Sequence, residues 1–185
     1  MKYILASKSP RRKELLSEII KEFEIITAEV DESLPSDIHP RAGVEILAVR
    51  KGDAVAKENP DALVISSDTL VELGGVPLGK PVDENDAVRM LTDLSGKAHN
   101  VHTGVAVHYK GRVFSGVATT AVYFRKMTAE EINEYVASGD PMDKAGSYGI
   151  QSGGGKFVEK IEGDYDTVVG LSMNLVKKLI DKAKK

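Results

Sequence analysis

The segment from Ile4 to Leu16, Ile-Leu-Ala-Ser-Lys-Ser-Pro-Arg-Arg-Lys-Glu-Leu-Leu, constrains this chain more than any other, because its charges run against local helix physics. Tyr3 to Ala6 reads as a short buried strand. Ser9 reads as an N-cap and Pro10 as the first residue of a helix over 10–22, with Leu15, Leu16, Ile19 and Ile20 on one face. The first turn of a helix presents unpaired N–H groups and the positive end of the macrodipole, so it favours acidic residues. Here it carries Arg11, Arg12 and Lys13, with Lys8 just before. A turn of that kind suits a bound anion, phosphate being the commonest; a solvated basic turn without a ligand is the alternative.

Downstream, strand and helix patterns intermix. Residues 23–30 read as a strand, 31–40 with two prolines as a loop, and 42–57 as a second helix stopped by Asn59-Pro60. Ala62-Leu63-Val64-Ile65 is a short apolar run of the kind a strand buried on both faces shows. Residues 71–76 predict a hairpin around Gly74-Gly75, and 85–94 a third helix. Residues 101–109 and 112–124 predict an antiparallel hairpin through Lys110-Gly111. Thr128 with Glu131 forms a capping box opening a helix that Gly139 ends; 156–161 reads as a strand and 168–182 as a closing amphipathic helix. The mixture predicts an α/β fold with a mixed sheet.

A chain of 185 residues can bury its core as one domain or as two lobes. Its 25 basic and 28 acidic residues leave a net charge of −3, so no global field draws nucleic acid or anionic lipid. The absence of cysteine excludes disulfides, thiolate metal sites and Cys nucleophiles. Among the four histidines only His99 and His102 share i, i+3 spacing, and structural roles are expected for both. No apolar run reaches membrane-spanning length and no signal-peptide pattern opens the chain, so a cytoplasmic protein without a membrane partner is expected.

Several residues could carry chemistry. Asp68 follows the 62–65 run, and the C-terminal ends of strands are where α/β folds place ligands. A carboxylate there can bind a divalent metal or take a proton from an attacking water, or simply cap a turn. Glu32, in the loop after the second predicted strand, offers a second carboxylate, with Asp31 beside it as a substitute. Lys80 sits in Leu78-Gly79-Lys80-Pro81, a stiff turn able to aim an ammonium at phosphate. Lys144 reads as structural, paired to Asp143 or to a helix end. The stretch from Asp143 to Gly155 holds five glycines and Gln151, whose planar amide could read the edge of a pyrimidine. Neither a Walker A loop nor a GxGxxG dinucleotide loop occurs.

Ser7-Lys8-Ser9-Pro10-Arg11-Arg12-Lys13-Glu14-Leu15-Leu16 resembles the N-terminal signature of the Maf family of nucleoside triphosphate pyrophosphatases. The resemblance continues at Ser67-Asp68-Thr69, Leu78-Gly79-Lys80-Pro81, Leu94-Ser95-Gly96 and His102-Thr103-Gly104-Val105, and is densest from Gly139 to Gln151. It implies one Maf/Ham1-like domain over 1–185: an elongated mixed β-sheet flanked by helices, two lobes around a central cleft, commonly a homodimer. The implied activity is cleavage of the α–β phosphoanhydride of a nucleoside triphosphate to monophosphate and pyrophosphate, serving nucleotide-pool housekeeping. A divalent cation, Mg2+ or Mn2+, would be held by Glu32 and Asp68. Asp68 would be the base, assisted by Glu32 and Lys80, while Ser7, Ser9, Arg11, Arg12, Lys51, Thr69 and Gln151 would bind substrate. Arg11, Thr69 and Gln151 resemble the branch acting on dTTP and UTP; a 7-methyl-GTP pyrophosphatase or a nucleotide-binding regulator with little turnover are the alternatives. One departure stands out. Family members usually read Val-Val-Gly-Leu-Pro where this chain has Val168-Val169-Gly170-Leu171-Ser172, and losing the proline is expected to loosen the start of the last helix.

Overall fold

Seven strands form one sheet in the order β2-β1-β3-β5-β6-β7, with β4 paired to β3 off that path. The computed structural model describes all residues, 1–185. In chain order the elements are β1 (Tyr3–Leu5), α1 (Pro10–Ser17), β2 (Glu24–Ile25), α2 (Pro40–Ala56), β3 (Leu63–Leu73), β4 (Val76–Leu78), α3 (Glu84–Leu94), β5 (Ala98–Tyr109), β6 (Arg112–Phe124), α4 (Ala129–Ala137), β7 (Val158–Glu162), α5 (Tyr165–Val169) and α6 (Met173–Ala183). β1 runs parallel to β2 and β3, whereas β3–β4 and β6–β7 are antiparallel, so the sheet is mixed as expected.

The chain divides into two units, each with its own core. The first comprises Met1–Thr69, Thr103–Ala118 and Gly170–Lys185; the second comprises Leu70–His102 and Thr119–Val169. In the first, Ile4, Ala6, Val55, Ala62 and Val64 pack together. In the second, α3 and α4 bury Leu91, Leu94 and Ile132 against Val101, Val122, Phe124, Tyr148 and Phe157. No helix is long and apolar enough to cross a membrane.

Four sequence expectations need correction. The strand expected over 23–30 is reduced to Glu24–Ile25, because its partner β1 has only three residues and offers no further edge. α1 ends at Ser17 rather than 22; Ile19 and Ile20 close it with turn bonds to the Leu16 carbonyl. The strand beginning near Ala62 does not stop at Ile65 but runs to Leu73, which places Asp68 within β3 and not beyond its end. Hydrophobicity lapses there while the strand continues, because the buried hydroxyls are satisfied: Ser66 Oγ donates to the Ala48 carbonyl at 2.7 Å and Ser67 Oγ to the Gly170 carbonyl at 3.1 Å. The closing helix, finally, is two helices separated at Gly170-Leu171-Ser172. Ser172 N-caps α6 by accepting from the Leu175 amide at 3.3 Å, so the departure from proline exchanges a rigid start for a capped one.

Candidate active site

In the first unit, β1 delivers the chain into a cap structure that behaves as the local sequence dictates. Ser7 Oγ accepts from the Ser9 amide at 3.2 Å, and Ser9 Oγ accepts from the Arg12 amide at 3.4 Å. Pro10 has no N–H to satisfy, and the Arg11 amide lies in the first turn, beyond reach of any helical carbonyl. Both serine hydroxyls thus shape the turn.

The two arginines of this turn have different fates. Arg12 folds inward: its Nε donates to the Gly170 carbonyl at 2.7 Å, Nη1 to the Ser67 carbonyl at 2.8 Å and to Ser7 Oγ at 3.3 Å, and Nη2 to Thr69 Oγ1 at 3.1 Å. Removal from water lowers its pKa; Asp68 opposes this, Arg11 adds to it and Glu32 opposes it. A guanidinium stays protonated through such shifts, so Arg12 is a charged clamp between α1, β3 and the break before α6. Arg11 is half-buried and makes no hydrogen bond or ion pair. Thr69 shares a hydrogen bond with Thr103 Oγ1 at 3.0 Å besides accepting from Arg12.

One residue before Asp68, the Ser67 carbonyl is therefore fastened to the cap turn. Asp68 Oδ1 accepts from Lys51 Nζ at 2.6 Å, and Glu32 Oε1 lies 2.8 Å from the same ammonium. Lys51 comes from α2, which can press close to the sheet because position 52 is glycine. A Cβ there would lie 2.2 Å from His108 Cε1 and 2.6 Å from Ser66 Oγ. The Asp68 side chain is 13% exposed and that of Glu32 61% exposed. Nothing in the protein donates to Asp68 Oδ2.

This arrangement bears on the expected metal. No group of three or more His, Asp or Glu residues converges anywhere in the protein. Glu32 and Asp68 do converge on one cation, however. Two such carboxylates fit a hard divalent ion that draws the rest of its shell from water and substrate phosphate.

The second unit carries the other expected residues. Lys80 is exposed and without a protein partner, on a turn held where the Gly146 amide donates to the Gly79 carbonyl at 3.0 Å. Gln151 is likewise exposed and unpartnered. Lys144, in contrast, is committed to Asp140 Oδ1 at 3.0 Å and Asp143 Oδ1 at 2.8 Å, in keeping with the structural reading. His99 and His102 make structural contacts: His99 Nε2 with the Tyr148 hydroxyl at 2.8 Å, and His102 with Glu72 at 2.6 Å and Thr119 at 2.8 Å.

Sequence reasoning missed Asp140, which organises the segment before and after Gln151. Its Oδ2 accepts from the Tyr135 hydroxyl at 2.6 Å and from Ser152 Oγ at 2.7 Å. Asp140 stands inside the densest stretch of the resemblance, from Gly139 to Gln151, but no role was assigned to it there. The Thr69–Thr103 bond was also invisible, since it joins residues far apart in sequence.

Comparison with known proteins gives a consistent result. The family model for Maf-like protein matches residues 2–183. The dTTP/UTP pyrophosphatase of Bacillus cereus (strain B4264) is 49% identical over 179 residues, spanning 96% of this chain and 94% of that protein. The dTTP/UTP pyrophosphatase of Moorella thermoacetica is 50% identical over 181 residues, spanning 97% and 93%. In fold, the chain aligns end to end with the Ham1 protein of Staphylococcus aureus, with a TM-score of 0.54 at 16% identity.

Proposed function

This chain belongs to the Maf-like protein family, and from that premise we propose that it hydrolyses the α–β bond of nucleoside triphosphates, dTTP and UTP foremost, releasing a monophosphate and pyrophosphate. The observation that carries the reading is the meeting of Asp68 and Glu32 on Lys51, on a strand clamped by Arg12 to the basic cap turn. A binding protein has no need of two carboxylates held together in a site for an anion. A site that must activate water does.

The residues divide the work as follows. Asp68 Oδ2, which has no protein donor, takes the proton of the water attacking the α-phosphorus. Lys51 fixes the orientation of Asp68 through Oδ1 and brings positive charge toward the phosphates. Arg11, whose side chain is unpaired on the first turn of α1, meets phosphate oxygen together with its own free amide. Glu32 and Asp68 would hold a divalent cation, Mg2+ or Mn2+, which when bound neutralises phosphate charge and makes water more acidic. Ser7, Ser9 and Arg12 act chiefly by holding the turn and strand in place, since their polar atoms are engaged within the protein. The parts assigned to Lys80 and Gln151, phosphate contact and base recognition, rest on the family resemblance and on both side chains being free of protein partners. The homodimer carries the same warrant, and sedimentation analysis tests it.

The deciding experiment incubates the purified protein with a panel of nucleoside triphosphates and Mg2+ and separates pyrophosphate from orthophosphate among the products. Monophosphate with pyrophosphate from UTP and dTTP is the expected outcome. Asp68→Asn should lower kcat by about 10²–10⁴ with an unchanged circular dichroism spectrum. Turnover of 7-methyl-GTP alone would overturn the pyrimidine assignment, and tight binding without turnover would leave a nucleotide-responsive regulator.

A further inference from the structure

Gln151 lies in a short stretch, 148–152, between the 3₁₀ turns Ala145–Ser147 and Gly153–Phe157. Two turn bonds, Ser152 N–H to the Gly149 carbonyl at 3.2 Å and Gly155 N–H to the Ser152 carbonyl at 3.1 Å, do not fix the direction in which an exposed side chain leaves the turn. Tyr148 and Phe157 anchor it in the core on either side, and one carboxylate ties down the polar turn between them. Asp140 Oδ2 accepts from Ser152 Oγ at 2.7 Å, directly after Gln151. It also accepts from the Tyr135 hydroxyl at 2.6 Å, and that hydroxyl accepts from the Gly149 amide at 3.2 Å, two residues before Gln151. Lys144 Nζ completes the hub, donating to Asp140 Oδ1 at 3.0 Å and to the Asp140 carbonyl at 2.6 Å.

Two of the glycines follow from this hub. A Cβ on Gly149 would lie 2.5 Å from Ser152 Oγ and 2.6 Å from Lys144 Cε, and one on Gly153 would lie 2.8 Å from the Tyr135 ring. Gly154 and Gly155 instead make room for Tyr148 and for the Ile150 carbonyl.

We propose that Asp140 is the positioning residue for Gln151, setting the pose from which that amide discriminates among nucleobases. The inference rests on the reading of Gln151 as the base-recognising residue. Bonds to an ionised acceptor are stronger than neutral ones, so a single charge holds both flanks of Gln151 in register. Burial works against the Asp140 carboxylate, yet the Tyr135, Ser152 and Lys144 donors outweigh it and keep its pKa below the ordinary carboxylate value. A fixed amide plane rejects a wrong base by leaving donors and acceptors unpaired; a loose one reorients and loses that penalty.

The test is steady-state kinetics with UTP, CTP and GTP for the wild type, Asp140→Asn, Tyr135→Phe, Gln151→Ala and the Asp140→Asn/Gln151→Ala double variant. Asp140→Asn keeps the side-chain volume but turns an amide N–H toward the Lys144 ammonium or toward the hydroxyl donors. It should narrow the kcat/KM ratio of UTP over GTP by about fivefold or more, chiefly through a higher KM for UTP. The double variant should narrow it no further than Gln151→Ala alone. Tyr135→Phe retains ring packing on Phe157, at 5.3 Å between centroids, and carries the test should Asp140→Asn fail to fold. A uniform loss for all three nucleotides in Asp140→Asn or Tyr135→Phe would reduce Asp140 to a structural residue and overturn the proposal. A ratio unmoved by Gln151→Ala would instead overturn the base-reading role on which it rests.

Discussion

Arg11 and Arg12 are chemically identical neighbours, yet the structure gives them opposite tasks. Arg12 spends its donors on the Ser67 and Gly170 carbonyls and the Ser7 and Thr69 hydroxyls, whereas Arg11 makes no such bond. Truncating Arg12 would strip these acceptors of a charged donor, and bonds of that type are worth about 1.5–3 kcal/mol each, with partial compensation by water. Arg12→Ala should therefore lose about 3 kcal/mol or more of stability, read from urea unfolding, and Arg12→Lys should recover little of it because an ammonium cannot reproduce the planar fork. Arg11→Ala should leave the unfolding midpoint in place and raise KM for nucleoside triphosphate about tenfold, in line with one lost phosphate contact. The reverse pattern would mean that the roles of the two residues have been exchanged.

At the scale of the element, α2 matters through its closeness to the sheet. Alanine normally improves a helix interior by about 0.5–1 kcal/mol over glycine. At Gly52 that gain is outweighed, because the new methyl would meet the His108 ring at 2.2 Å and Ser66 Oγ at 2.6 Å, both buried. Overpacking of this kind costs about 1–3 kcal/mol and moves the helix. Gly52→Ala should thus destabilise the protein and, by displacing the adjacent Lys51 from Asp68 and Glu32, lower kcat. Hydrogen exchange across α2 together with turnover checks both effects; unchanged turnover would show that the Lys51 contacts tolerate the shift.

For the molecule as a whole, a buried imidazole sets an acid limit on stability. His99 is 3% exposed, packed edge-on against Phe124 and Tyr148, and burial pushes its pKa down to about 4 from the ordinary 6.5. Its neutral form belongs to the folded state and the unfolded chain binds the proton more readily. Stability is therefore full above about pH 6.5, falls as pH drops through the window down to about 4, and levels below it. The shift corresponds to about 3 kcal/mol at most. As pH falls from 7 through 5.5 to 4, the urea midpoint of the wild type should drop relative to that of His99→Phe, and parallel curves would exclude His99 as the origin. Carboxylates held low by hydrogen bonds act at more acidic pH: Glu131, at about 2 through Arg125 and the Thr128 amide, contributes fully above its ordinary value of 4.5 and loses that contribution progressively as pH falls from there to about 2.

The patterns that survive from sequence to structure are those governed by neighbours along the chain. The Ser9-Pro10 helix start, the Thr128–Glu131 capping box and the Gly74-Gly75 and Lys110-Gly111 turns depend on local propensity, and local propensity is written in the residues. Asp68, Glu32 and Arg11 were legible as charged groups whose type and setting suit phosphate chemistry, whereas Lys51 entered only through the family resemblance. Which charges are spent inside the fold was decided only by tertiary contact. Arg12 could not be told apart from Arg11 until the carbonyls it satisfies, one of them more than a hundred residues away, came into place, whereas Lys144 already read as structural from the Asp143 beside it. The length of β3 belongs with these. Ser66 and Ser67 read as the end of a strand because hydroxyls are costly to bury, and they lie inside one because distant carbonyls accept their protons.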